Sequence, residues 1–283
     1  MKKAISCTLT GLGLLSWFLY MQNNQLVMAN FSCYFKHLPK AFDGLNIVHI
    51  SDLHNKTFRK NQAPLIKKIN EATPDVIFIT GDIVDSRRYN EQPSLILTKQ
   101  LVDIAPVYYV TGNHEAKSEK FELLEKNLRA TGVQILRNET AFLREQEQYL
   151  SITGIDDPSF AKDFPYSDDT LFMEQAIQLA EQAMQKQPDF RILLSHRPEK
   201  LALYTKHPFD LVFSGHAHGG QIRIPFLGGL IAPHQGFFPA YTAGLHKQNK
   251  TNLIVNRGLG NSIFPFRIFN RPEIVTMTLN RET

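Results

Sequence analysis

Thiols are nearly absent from this chain. With only Cys7 and Cys33 in 283 residues, no disulfide framework and no cysteine-based zinc or iron–sulfur site can be built. A strong charge of either sign is also missing. Lys and Arg number 31 against 27 Asp and Glu, a net +4, too little by itself to imply a nucleic-acid surface. At 43% apolar and 20% charged residues, a disordered or fibrous chain is excluded. Internal repeats and low-complexity linkers are lacking as well. Against these absences stand ten histidines. A metal held by this chain is held through imidazole and oxygen.

Lys2 and Lys3 precede an uncharged run over residues 4–21. As a helix it would span about 27 Å, slightly short of the roughly 30 Å hydrocarbon core. Ser6, Thr8, Thr10, Gly11, Gly13 and Ser16 dilute it, and Leu12, Leu14, Leu15, Trp17, Phe18, Leu19 and Tyr20 concentrate its hydrophobicity near the end. The leading reading is a hydrophobic helix serving as a single-pass membrane anchor, because polar Gln22-Asn23-Asn24-Gln25 follows it. A cleaved signal peptide with Val27-Met28-Ala29 as its site, or a helix packed on the body, are the alternatives. The positive-inside bias places the body on the extracytoplasmic face. The expected division is anchor or signal segment 1–21, linker 22–44 and catalytic domain 45–283.

From residue 45 onward, short apolar runs alternate with amphipathic stretches. Residues 45–51, 76–80, 107–111, 149–154, 191–195 and 211–214 read as buried strands rich in Ile, Val, Phe and Leu. Residues 64–72, 93–104, 118–130 and 169–185 read as helices, with Pro64 and Pro93 suited to first turns. Past Gly219 the pattern becomes strand and loop, with strands expected at 221–224, 253–256 and 273–279. Such alternation predicts an α/β domain with helices covering a sheet.

Chemistry-bearing residues stand where the strands end. The successive loops carry Asp52-Leu53-His54, Gly81-Asp82-Ile83-Val84-Asp85, Gly112-Asn113-His114-Glu115, Ser195-His196 and Gly215-His216-Ala217-His218. In an open α/β sheet those ends converge on one crevice. Two aspartates, four histidines and an asparagine form an oxygen and nitrogen donor set that suits Mn²⁺, Fe or Zn²⁺ rather than Ca²⁺. Seven donors exceed one ion's needs, whereas two ions sharing a bridging carboxylate would have about four each. Any one of these motifs alone is more often a turn or a packed histidine. Their ordered occurrence at five strand ends is what carries the reading.

This series resembles the calcineurin-like metallophosphoesterase superfamily, over the stretch from about residue 45 to the end. The resemblance implies a four-layer α/β/β/α sandwich and a dinuclear centre. By the family pattern Asp52, His54, Asp82 and His218 hold one ion, and Asp82, Asn113, His196 and His216 the other, with Asp82 bridging. His114 is implied as the catalytic histidine and Asp85 as the residue that orients it. Gly215-His216-Ala217-His218-Gly219-Gly220-Gln221, Arg257-Gly258-Leu259-Gly260 and Arg271-Pro272-Glu273-Ile274 are similar to bacterial membrane-anchored phosphoesterases of the YkuE/YaeI type. The phosphate-gripping Arg of the protein Ser/Thr phosphatases is displaced here by one position, to Arg87.

The function expected is hydrolysis of a phosphodiester or pyrophosphate bond in a lipid-linked or nucleotide substrate. Metal-activated hydroxide, with two divalent ions (manganese first, zinc or iron next), would attack phosphorus, and His114 would assist the leaving oxygen. Alternatives are a phosphomonoesterase, a non-catalytic metal-binding scaffold and a nuclease. The last lacks the interleaved basic and aromatic residues such surfaces use. Arg257 and Arg267 are candidate phosphate grips. His234 is a candidate to face substrate and His49 reads as structural. The Phe- and Pro-rich runs at 224–227, 236–239 and 263–266 either pack over a sheet or form an apolar rim beside the metals.

Overall fold

A computed structural model describes residues 2–161, 169–184, 188–261 and 264–282. Helix α1 (Lys2–Asn24) and strand β1 (Val27–Phe35) precede β2 (Asn46–Ile50), α2 (Ala63–Glu71), β3 (Val76–Thr80), α3 (Gln92–Leu101), β4 (Val107–Val110), α4 (Asn113–Lys117), α5 (Phe121–Ala130) and β5 (Gln134–Ile135). Then follow β6 (Glu139–Glu145), β7 (Gln148–Gly154), α6 (Asp169–Gln182), β8 (Arg191–Leu194), α7 (Leu201–Tyr204) and β9 (Leu211–Ser214). Four two-residue strands come next: β10 (Arg223–Ile224), β11 (Gly228–Gly229), β12 (Ile231–Ala232) and β13 (Gly236–Phe237). The described chain closes with β14 (Gly244–Gln248), β15 (Thr251–Val255) and β16 (Glu273–Arg281). Gln185 and Ile263, at the edges of an expected helix and an expected apolar run, lie outside the described residues.

Two six-stranded sheets form, ordered β1-β16-β2-β3-β4-β5 and β14-β15-β9-β8-β7-β6. Side chains alternate across a strand, and that alternation sorts the apolar residues into layers. In β3, Ile77 and Ile79 join the cluster that includes Leu65 and Ile69 of α2 and Leu124 and Leu128 of α5. Val76 and Phe78 of the same strand face the other way. They meet Ile192, Leu194, Leu211, Phe213 and Ile254 of the second sheet. On that sheet's far side Leu193, Val212 and Leu253 pack on Met173 and Ile177 of α6. Helices, sheet, sheet and helices are thus stacked in four layers. Each fully buried Leu, Ile or Phe contributes about 1.5–3 kcal/mol of transfer free energy.

Two expectations about the amino-terminal part change. Helix α1 forms over 23 residues, yet among the described residues no helix is long and apolar enough to cross a membrane. The expected single-pass span is therefore not found among the described residues. The presumed linker 22–44 contains β1, which pairs in parallel with β16 through nine residues, from Val27–Glu273 to Phe35–Arg281. The strand lies at the edge of its sheet, where Cys33 and Phe35 are buried and the rest of β1 is partly or fully exposed.

Candidate metal centre

Strands β2, β3 and β4 run parallel in the first sheet, as do β7, β8, β9 and β15 in the second. Their carboxyl ends deliver the loops that hold all seven sequence-predicted donors. The structure brings six of them together directly. Asp52, His54, Asp82 and His218 form one buried group whose donor atoms all lie within 4.8 Å of one another, and Asp82, His196 and His216 form a second. Asp82 belongs to both.

Asp82 Oδ2 is 3.2 Å from His196 Nε2 and 3.6 Å from His54 Nε2. Asp52 Oδ1 lies 3.3 Å from His218 Nε2. Ring nitrogens confront each other in pairs, His54 Nε2 with His218 Nε2 at 3.1 Å and His216 Nδ1 with His196 Nε2 at 3.0 Å. His196 donates its Nδ1–H to the Thr80 carbonyl at 2.7 Å, which turns Nε2 toward Asp82. Asn113, the seventh donor, starts α4 beside Asp82, whose Oδ1 accepts the His114 N–H at 2.8 Å. Its own Oδ1 is buried without a hydrogen-bond partner, as is His216 Nε2. Oxygen and nitrogen lone pairs converging without enough protons between them suit divalent cations of the Mn, Fe or Zn kind.

The backbone is bent to achieve this. Asp52, His54, Asp82, His216 and His218 all have positive φ, between 47° and 65°. A non-glycine residue there costs about 1–2 kcal/mol, and such strain collects at functional sites. Close approach also fixes Gly215, where a Cβ would collide with the side chains of Ser51 and Asp52.

Charge is divided unevenly within the cluster. Burial pushes the Asp52 carboxyl up to about 7, with His196 opposing the rise and the Asp82 carboxylate adding to it. Burial opposes ionisation of Asp82 too, but the imidazoles of His196, His114 and His54 hold it well below the ordinary carboxylate range. Burial likewise resists a charge on His196, and Asp82 overrides it, raising the ring to about 10. His54 is lowered to about 3, and His216 and His218 fall well below the usual value, all chiefly by burial. Neutral rings are what metal ligation requires, and a cation beside Asp82 would take the place of the proton on His196.

His114 stands over the cluster, its ring edge-on to His54 at 4.5 Å between centroids. Its Nδ1 accepts the Ser86 backbone N–H at 3.1 Å. An N–H must donate, so Nδ1 is unprotonated and the neutral ring carries its proton on Nε2. Asp85 comes no nearer than 3.6 Å to Nδ1. Its oxygens instead accept from Arg87 N at 3.0 Å and from the Arg87 and Arg88 guanidinium groups at 3.3 Å. Ser86, to which sequence reasoning gave no role, is thus the direct partner of His114.

Both candidate phosphate grips are engaged in the scaffold. Arg267 is 1% exposed. Its guanidinium donates to the carbonyls of Gly260, Arg257 and Asn270 and to Asn261 Oδ1. Arg257 pairs with Glu273, Nη2 to Oε1 at 2.6 Å and Nε to Oε1 at 2.7 Å. The buried Arg267 arrangement leaves no fork open to phosphate. His234 lies at the centre after all: its exposed ring stacks on His216 at 5.4 Å and 21°. His49 is a buried structural residue, 2.7 Å from Thr80 Oγ1 through Nε2. Phe226, Phe237, Phe238, Phe264 and Phe266 are exposed, which favours a rim over sheet packing.

A family model described as calcineurin-like phosphoesterase matches residues 45–220. The chain is 33% identical to the uncharacterized metallophosphoesterase YkuE of Bacillus subtilis, covering 86% of this chain and 81% of that one. It is 27% identical to the phosphodiesterase YaeI of Escherichia coli, over 82% and 81% of the two chains. A transmembrane protein with metallophosphoesterase domain from Danio rerio is 30% identical, and there the match spans 86% of this chain but 55% of the relative. Among solved structures, the sulfate thiohydrolase SoxB of Thermus thermophilus superimposes with a TM-score of 0.51 at 14% identity, covering 86% of this chain and 57% of that one. The phosphopantetheinyl hydrolase PptH of Mycobacterium tuberculosis gives 0.50 at 13%, over 77% and 91%. These last two likenesses speak for the fold.

Proposed function

The chain belongs to the calcineurin-like phosphoesterase family, and from that premise we propose that it hydrolyses a phosphodiester or pyrophosphate bond. As a metallophosphoesterase it is a hydrolase of phosphoric esters. The observation that carries the metal-dependent hydrolase reading is the meeting of donor atoms from four separate strand-end loops around Asp82.

Asp52, His54, Asp82 and His218 would hold one divalent cation, and Asp82, Asn113, His196 and His216 the second. Manganese is proposed first for this set of hard oxygens and imidazoles, with zinc or iron next. When bound, two such cations supply hydroxide near neutral pH and neutralise charge on the phosphoryl oxygens. His114 provides the proton: with Nδ1 occupied by the Ser86 N–H, Nε2–H is the acid available to the departing oxygen. Asp85 settles the Arg87–Arg88 turn next to that ring and orients His114 through it. Arg257 and Arg267 act on the loop that cradles Asp52.

A lipid-linked or nucleotide phosphoester is the substrate class proposed, with membrane attachment through α1. Support for the latter is the exposure of Leu12, Leu14, Leu15, Trp17 and Tyr20, apolar surface that stands clear of the body. The test is metal analysis of the purified chain coupled to turnover of bis(4-nitrophenyl) phosphate, 4-nitrophenyl phosphate and a pyrophosphate diester. Two metals per chain with diester or pyrophosphate turnover supports the reading. A metal-loaded protein that turns over only the monoester refutes it.

A further inference from the structure

The carboxyl-terminal end of α1 is built into the mouth of the metal centre, and Asn23 is the joint. Its backbone carbonyl accepts from Lys56 Nζ. Its side-chain oxygen accepts from Asn261 Nδ2 at 2.8 Å and from the Arg267 N–H at 3.1 Å. Lys56 follows His54 by two positions, and Asn261 follows Gly260, whose N–H donates to the Asp52 carbonyl at 2.6 Å. Helix α1 thereby forms a fixed wall beside the loop that carries Asp52 and His54 and the loop at Gly260 that braces it.

Between wall and loops lies a cavity of about 650 Å³, lined by Leu19 and Tyr20 of α1 and by His54, Lys56, Arg88 and Phe266, among others. That is an ordinary size for a small-molecule site. Its cations stand with the metal loops, and its apolar side chains come from α1 and the 264–269 segment. Apolar surface continues outward from there. Phe18 of α1 meets Phe269 edge to face at 5.6 Å, and Leu12, Leu15 and Trp17 are exposed further along the helix. Three amide groups in the lining are tied to backbone carbonyls: Asn23 Nδ2 to Leu19 O at 2.7 Å, Asn24 Nδ2 to Tyr20 O at 2.9 Å, and Asn261 Nδ2 to Pro265 O at 2.7 Å. What remains beside the reacting position is a basic pair, the exposed Arg88 guanidinium and a Lys56 amine that burial lowers to about 7, together with a greasy exit.

We infer that this cavity receives the non-reacting part of the substrate and that this part is a long aliphatic chain, with Lys56 and Arg88 meeting the anionic group at its head. The inference rests on the phosphoesterase reading and selects the lipid-linked class within it. An aliphatic chain laid along Leu19, Tyr20 and Phe266 gains affinity with each methylene removed from water.

The test uses the full chain loaded with Mn²⁺ and two probes, 4-nitrophenyl ethyl phosphate and 4-nitrophenyl dodecyl phosphate, both kept below micelle-forming concentration. The dodecyl ester should show a kcat/KM roughly 30-fold or more above the ethyl ester. Leu19→Asp and Tyr20→Ser should each cut that ratio by about tenfold. Leu179→Asp, an exposed change on α6 far along the chain, should leave the ratio alone. Calorimetric titration with dodecylphosphonate and ethylphosphonate gives a readout without turnover, and the longer phosphonate should bind at least about tenfold tighter. If neither ester is cleaved, the hydrolase reading fails, and the phosphonates alone decide the matter. Equal affinity for the two phosphonates, a chain-length ratio that survives Leu19→Asp, or a nucleoside diester preferred to the dodecyl ester overturns the inference.

Discussion

One carboxylate oxygen of Glu115 holds two backbone N–H groups, that of Asp82 at 2.8 Å and that of Gly112 at 2.6 Å. The other oxygen accepts from Val84 N at 3.3 Å. Glu115 therefore clamps the loop after β3 to the start of α4 and sets the distance between Asp82 and Asn113-His114. Burial pushes its carboxyl up to about 8, with the Asp82 charge adding to the rise. Gln keeps an acceptor in place, whereas Ala leaves three N–H groups buried and unsatisfied. Glu115→Ala should cost about 3 kcal/mol or more in urea unfolding, and Glu115→Gln clearly less. Equal midpoints for Glu115→Ala and wild type would remove the clamp from the account.

For the proton donor, the expected signature is activity lost with metal kept. His114→Asn should retain both cations by elemental analysis and lose about 10²–10⁴ in kcat on a diester with a poor leaving group. Ser86→Ala preserves the backbone N–H that fixes the ring, so its effect should stay within roughly threefold. A loss for Ser86→Ala as large as for His114→Asn would show that the hydroxyl, not the N–H, sets the tautomer.

Acid should unfold the protein partly through His49. Burial lowers this ring from 6.5 to about 3. Its folded value lies below its unfolded one, so its stabilisation is complete above about pH 6.5 and drains away as pH falls toward 3. Between about pH 7.5 and pH 5 the ring accounts for roughly 2 kcal/mol of lost stability. His49→Gln should show a correspondingly shallower fall in unfolding free energy over that interval. Parallel curves for the two proteins would contradict the assignment.

Arg267 offers a contrast between scaffold and substrate roles. Arg267→Ala leaves the carbonyls of Gly260, Arg257 and Asn270 short of a donor, and each buried loss costs about 1–3 kcal/mol. A lowered urea midpoint is expected, with KM for a small diester changed by less than about threefold. A large KM effect at unchanged stability would restore Arg267 as a phosphate grip.

The comparison of residues with structure follows a physical line. Asp52, His54, Asp82, Asn113, His196, His216 and His218 could be read because each lies just past a short, largely apolar buried strand, where order along the chain becomes proximity in space. The interior strands β3 and β9 begin and end where their apolar runs do, at Val76–Thr80 and Leu211–Ser214. Strand β1 is apolar enough to be a strand, but its place at the sheet edge is set by pairing with β16 at the far end of the chain. Glu115 and Ser86 are harder to read because each works on a backbone N–H, which every residue has. Arg267 poses a related difficulty: a guanidinium looks the same whether it faces phosphate or three carbonyls. His234 is set over His216 by a hairpin that carries no periodic signal, since β12 and β13 have two residues each.

Only Gln25 and Leu26 separate the end of α1 from the start of β1. Two residues reach at most about 7 Å, and Val27 N is already tied to the Pro272 carbonyl at 2.9 Å. There is no slack in that connection. A surface that took up the leucines of α1 would hold the catalytic loops at one set height above it. Bonds presented at that level would then come within range, a ruler rather than a leash.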